Sequence, residues 1–379
     1  MSVTSVPSQV EPPRGRGETR PLNGSRDGTL AGTLGAAGRR TIRQLAGSLG
    51  VIFSVITATF LITRVFAPDP TSLFLAPAGN GFVNAAAAAA ARARVRAGLG
   101  LDKPLVVQFY RFVVHLLHGD LGISFQTGRA VTTDLADRLP ATVELAVYAL
   151  IFGIILGVVA GVISAVRRDG IFDRVTGLLT VGGLSLPQFW IGLMLLLIFF
   201  TELHLAPGPV GRLPIGAVQP QTITGFYTVD GLLTGDWSTA LNAARQLVLP
   251  VFALGIGLAA PICTIVRSSM VEALSSDYVR TATAMGFGRR RIYLVYGLKN
   301  GLLPVVTVLA GIIAYTFVGS VLIEGIFGWP GVGNYALQAI QTSDFPAIQG
   351  FVLYAAIIYV VIFELLNFAY GLVDPRIRT

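Results

Sequence analysis

The chain has 379 residues, 53% of them hydrophobic and only 13% charged, with a mean hydropathy of +0.69. These values exclude an ordinary soluble domain and describe an integral membrane protein; the net charge of +8 lacks the aromatic and basic surface motif of a nucleic acid binder, so topology accounts for it better. A single cysteine, Cys263, excludes an intrachain disulfide, a CxxC pair and a cysteine zinc site.

Residues 1–40 are rich in Gly, Arg, Ser, Thr and Pro, which predicts a disordered cytoplasmic tail too poor in apolar residues for a secretory signal. Apolar windows then fall at 45–66, 142–166, 175–200, 247–266, 304–323 and 348–372. At about 20 residues each, they can cross the roughly 30 Å hydrocarbon layer as helices. The predicted fold class is therefore an all-α integral membrane protein with six transmembrane helices.

Arginine sets the orientation, because short cytoplasmic loops retain Lys and Arg. Arg39, Arg40 and Arg43 precede the first window, Arg167, Arg168 and Arg174 separate the second and third, a polar loop over 267–304 separates the fourth and fifth, and Arg376 and Arg378 follow the sixth. All four groups lie on one side, which predicts cytoplasmic N- and C-termini. The basic residues of 67–138 fall on the other side, but that extracytoplasmic segment is too long for the rule to constrain. Within it, Leu105, Phe109, Phe112, Val113, Leu116 and Leu117 recur at helical spacing, predicting an amphipathic helix that ends at Gly119. His115 and His118 share that helix, with no carboxylate or third ligand evident beside them, so no metal site is predicted.

The residue inventory also excludes catalysis. The three histidines, His115, His118 and His204, fall in external segments, and no GxSxG, HExxH or Cys and His arrangement is present. A phosphate loop needs Lys followed by Ser or Thr, whereas Lys103 precedes Pro104 and Lys299 precedes Asn300. No cofactor is expected, and any ATP hydrolysis must occur in a separate subunit. A proton- or sodium-driven carrier would place acids at midplane. The supply is thin: Glu364 inside the sixth window, for which a structural contact and transport chemistry both stand, Glu144 near the outer end of the second, and Glu324 just beyond the fifth.

The loop over 267–304 is the place where the chain is built to meet a partner. It opens with Arg267 and carries a helix-compatible segment from Met270 to Met285, with Met270, Leu274 and Tyr278 at i, i+4 and i+8 and acidic Glu272 and Asp277. It breaks at Gly286 and Gly288, then shows Arg289, Arg290 and Arg291, charge suited to a partner or to phospholipid. A lipid-surface helix with positive flanks fits the spacing equally well.

The run SSMVEALSSDYVRTATAMGFGRRRIYLVYGLKNGLLPVVTVLAG resembles the cytoplasmic coupling loop of inner-membrane permeases of ABC importers, in the dipeptide, oligopeptide and nickel branch. Arg280, Thr281, Ala282 and Gly286, followed by Leu302, Leu303 and Pro304, match its EAA-type motif; Arg280 stands where the wider superfamily has Glu, and Met285 and Phe287 vary on a common Lys-Gly-Leu. LGLDKPLVVQFYRF, HGDLGISFQTGRAV, RLPATVELAVYAL, LSLPQFWIGLMLLL, GIFGWPGVGNYALQAI and the terminal DPRIR look like family signatures in the expected order.

The resemblance implies a type I importer permease whose transmembrane core occupies 139–371, with a cytoplasmic end at 372–379. It implies half of the path for peptides or related small solutes, a second homologous permease, two ATP-binding subunits and an extracytoplasmic substrate-binding protein. Asp277, Tyr278, Arg280, Thr281, Ala282, Ala284 and Gly286 are the expected coupling residues. Glu324, Phe327, Trp329, Pro330 and Gly331 form a candidate external gate or receptor contact, although a turn that merely caps the fifth helix fits them as well. A self-sufficient channel or carrier, or a non-transporting scaffold, would need none of these subunits.

Overall fold

The computed structural model describes residues 46–63 and 102–373, leaving the N-terminal tail, the Ala85 to Ala91 run and the terminal DPRIR outside the described residues. Among the described residues the chain is built of helices, with one isolated antiparallel bridge between Ile123 and Ala130. Three helices are long and apolar enough to span a membrane alone, and one bent pair qualifies together.

The first helix, α1 (Ala46–Leu61), lies beside the last, α11 (Phe345–Val373). Ser48 donates its hydroxyl to Glu364 at 2.6 Å, and Gln349 donates to the Thr63 hydroxyl near the other end. The intramembrane Glu364 thus has a protein partner rather than lipid, as the cost of an unpartnered carboxylate in hydrocarbon requires. Helix α2 (Leu105–Leu117) is the predicted amphipathic helix, and it packs on α1: the Phe109 ring centroid lies 5.2 Å from that of Phe60 and 6.1 Å from that of Phe53. Gly119, at φ +75, turns the chain out of it. His115 does have a neighbouring carboxylate, since its Nδ1 lies 3.0 Å from Asp120, which the sequence reading overlooked.

Helix α3 (Val131–Val166) has 36 residues and begins well before the apolar window at 142. Its polar first turns hold Asp134, Asp137 and Arg138, with Pro140 following, a composition that hides the helix from a hydropathy reading. What keeps those turns helical is tertiary packing, because Val131 and Leu135 are buried against Val332, Tyr335, Ala339 and Ala347. Helix α7 (Trp237–Ser275) has 39 residues and likewise outruns its window at both ends. Asp236 caps it, accepting from the Thr239 amide at 3.0 Å and hydroxyl at 2.5 Å.

The pairing of α3 with α7 forms the centre of the core. Gly153, Gly157 and Gly161 recur every four residues on one stripe of α3, and a Cβ built on each would meet α7 at 2.8 Å. With no apolar driving force between helices in lipid, such small-residue stripes let backbones approach and gain dispersion contacts. Leu254, Leu258, Ile262 and Val266 of α7 fill the resulting seam.

The third window, expected as one span, is two helices. α4 (Ile171–Ser185) and α5 (Gln188–Leu195, continuing in a wider turn over Leu196–Glu202) meet at 109°. Pro187 lacks an amide proton and forces Leu186 into extended backbone, ψ 133, so the helical ladder cannot continue. The break borders a cavity of about 430 Å³ lined by Ser185, Gln188, Gly257, Pro261 and Gly311, the setting in which irregular backbone is tolerated at membrane depth. The remaining elements are α6 (Tyr227–Leu233), α8 (Asp277–Ala284), a helical run over 289–301, α9 (Leu303–Ile326) and α10 (Val332–Gln341).

Candidate functional site: the coupling segment and the opposite latch

The segment Met270 to Met285 is not one helix. α7 carries Met270 and Leu274 and stops at Ser275; Ser276, at ψ 156, is extended, and α8 starts afresh at Asp277. Tyr278 therefore belongs to a different helix from Met270, and Glu272 to the end of α7 rather than to the start of the docking helix. Asp277 lies in the first turn of α8, where a negative charge complements the helix dipole.

The far end of α8 is closed by a Schellman motif. Gly286 sits at φ +80 and donates its amide to Thr283 O at 3.0 Å, while Phe287 donates to Ala282 O at 3.2 Å. The turn sends Phe287 back onto the helical run, stacked on Tyr296 at 6.0 Å between centroids, with the Arg291 guanidinium 4.4 Å from the Phe287 ring. Gly288 is not a second left-handed break, since it has φ −63 and leads directly into Arg289.

The expected coupling residues divide between two faces. Val279 and Ala282 are buried, seating α8 on its own chain, so Ala282 is a packing residue and not part of an outward surface. Asp277, Tyr278, Arg280, Thr281, Ala284 and Gly286 are exposed, as are Thr283 and Met285, which the sequence reading did not single out. Arg280 approaches Asp277 at 3.4 Å on this open face, a contact of little energetic weight in water. Beneath α8, Gly297 and Gly301 let the helical run close on Met270 and Leu274 of α7; a Cβ at Gly301 would stand 2.8 Å from Met270 Cγ.

Arg267, expected to open the polar loop, pairs across the chain. Its Nε and Nη2 donate to the two carboxylate oxygens of Asp173 at 2.5 and 2.7 Å, tying α7 to the start of α4 where both leave the apolar zone. An Arg closing one apolar window and an Asp opening another on the same predicted side was the signal available for it.

At the opposite end the candidate gate is a buried latch. Glu324 is fully buried and accepts from the Thr142 hydroxyl at 2.9 Å and the Asn334 amide at 2.9 Å; Thr142 in turn accepts from the Val332 amide at 2.8 Å. Trp329, also fully buried, donates its indole N–H to Ala141 O at 2.8 Å, and Phe327 lies in the core. Gly331 must be glycine because a Cβ would stand 2.5 Å from the Thr142 hydroxyl. Of the five residues only Pro330 is exposed. Glu144 is equally committed: it accepts from Arg212 Nη2 at 2.6 Å and from the Thr228 amide and hydroxyl at 3.0 and 2.7 Å. Neither acid stands free in a pathway as a carrier would require.

An exposed, capped helix seated on the longest span therefore stands at one end of an all-helical bundle. Residues 153–379 match the family model described as binding-protein-dependent transport system inner membrane component, and residues 39–146 match its N-terminal companion. The chain belongs to this family. Among curated relatives, the probable D,D-dipeptide transport system permease protein DdpB of Escherichia coli is 39% identical over 331 residues, covering 87% of this chain and 95% of the relative. The dipeptide transport system permease protein DppB of the same organism is 34% identical, covering 89% and 98%. The glutathione transport system permease protein GsiC of Salmonella paratyphi A is 31% identical, again covering 89% and 98%. As a family member the chain is a membrane-embedded permease subunit of an ABC importer rather than an enzyme, and it works with a substrate-binding protein and an ATPase.

Proposed function

We propose that this permease forms half of a transmembrane path for dipeptides or related short peptides, beside a second homologous permease. Two ATP-binding subunits drive it, and the exposed face of α8 enters a cleft on one of them. The observation that carries this reading is the construction of α8: an eight-residue helix capped at Gly286, open along Asp277, Arg280, Thr281 and Ala284, and buried on the opposite side at Val279 and Ala282. A helix that short is marginal alone, so its preservation as a projecting element needs the seat that Val279 and Ala282 make. The peptide-transport names of the relatives support the substrate class. Arginine placement supports an orientation with both termini and α8 in the cytoplasm, and the six apolar windows support six spans in all.

Affinity purification from native membranes tests the assembly. Two ATP-binding subunits and one second permease are expected per copy of this chain, together with loss of dipeptide uptake on deletion. Recovery of the chain alone from a preparation that still imports peptide would overturn the reading in favour of a self-sufficient carrier.

A further inference from the structure

A groove of about 520 Å³ lies where the last turns of α3 meet the helical run that follows α8. Its apolar wall is Val162, Ile163 and Val166, the last turns of α3, together with Phe172 and Leu294, and its polar rim is Arg167, Arg289, Arg290 and Tyr293. The arginine triplet is divided: Arg291 stacks on Phe287 and takes no part in the groove. No ion pair links Arg167, Arg289 or Arg290 to a carboxylate among the described residues; nearby Asp173 is held by Arg267, and Asp169 lies 3.7 Å from Arg168.

We propose that this groove binds an anionic phospholipid, its phosphate held by Arg167, Arg289 and Arg290 and its acyl chain laid along Val162, Ile163 and Val166. Two properties select this occupant. Uncompensated guanidinium groups attract phosphate, which they can bond in a bidentate manner. The wall directly below them belongs to a membrane-spanning helix, so an acyl chain covers it without desolvating anything polar. A free phosphate would leave that wall bare, and an acidic protein loop would have to bury itself at acyl depth. Tyr293 fits the border, where its ring is apolar and its hydroxyl reaches water. The lipid would bridge the end of α3 to the helical run on which α8 sits, linking bilayer composition to the coupling segment. The inference concerns the bilayer alone and stands whatever solute is carried.

The purified importer complex, titrated with phosphatidylglycerol or phosphatidylcholine and read by native mass spectrometry, tests it. Preferential retention of phosphatidylglycerol is expected. The pair Arg289→Gln and Arg290→Gln should weaken it about 30-fold, from about fivefold per basic residue near an anionic surface. Arg174→Gln removes the same kind of charge outside the groove and should leave retention unchanged. Arg289→Lys with Arg290→Lys keeps the charge and should keep the preference; if the glutamine pair does not assemble, Arg167→Gln alone, expected about fivefold weaker, decides. Equal retention of the two lipids, unchanged retention in the glutamine variants, or displacement by millimolar inorganic phosphate would overturn the proposal. So would loss of an ATP-binding subunit with lipid retention intact, which would assign the arginines to a protein interface.

Discussion

Gly286 is where sequence, geometry and mechanism meet, and the structure makes its replacement quantitative. No heavy atom lies within 4 Å of the position a Cβ would take, so size by itself is tolerated; the constraint is φ +80. An L side chain in this left-handed region costs about 1–2 kcal/mol, less for asparagine and more for a β-branched residue. About 1 kcal/mol lowers the population of the capped form roughly fivefold, and α8 has only eight residues with which to resist. Gly286→Asn should therefore retain more coupling than Gly286→Ala, although asparagine is larger, and Gly286→Val should retain least. The assay is substrate-stimulated ATPase and peptide uptake by the complex in proteoliposomes, with membrane insertion verified for each variant. An order that follows size, with Ala above Asn, would refute the conformational argument, and a fully active valine variant would remove Gly286 from the coupling path.

The α3 to α7 seam predicts that Gly157→Leu, whose Cβ would stand 2.8 Å from Ala259 O and from Ile262 Cβ, cannot pack. Overpacking of about 3 kcal/mol or more should abolish a cooperative thermal transition, whereas Gly177→Leu, with nothing within 4 Å, should leave it in place. Asp230 gives a pH dependence. Burial alone would raise its pKa, but hydrogen bonds from the Thr224 hydroxyl and the amides of Thr224, Ile223 and Gly225 outweigh burial and hold it below the ordinary carboxylate value. Because the folded pKa is the lower one, the stabilisation is complete above an ordinary aspartate value of about 3.9 and is lost as pH falls through the folded value. Amide exchange across residues 223–225 should stay slow at neutral pH and accelerate only in strong acid; Asp230→Asn should show fast exchange already at neutral pH.

The membrane class and the break in the polar loop after α7 were legible because each rests on composition or on a local pattern. Gly286 was legible for the same reason, since a left-handed turn leaves its mark in one residue. The GxxxGxxxG stripe of α3 is equally local, although only the packed structure shows that it faces α7. The latch was not legible: GIFGWPGVGN reads as a surface turn until Thr142, remote in sequence, arrives to satisfy Glu324 and Val332 together. Hydropathy also misplaced the ends of α3 and α7, where neighbouring chain, not lipid, buries the helix. The split of the docking segment at Ser276 was hidden because both halves carry helical spacing. That the chain is an all-α membrane protein could be read residue by residue, because solvent preference is a property of each side chain. Which face of α8 is open, which arginines lack a carboxylate among the described residues and which acids are already bound emerge only on folding, because charge and burial are settled between residues far apart in the chain.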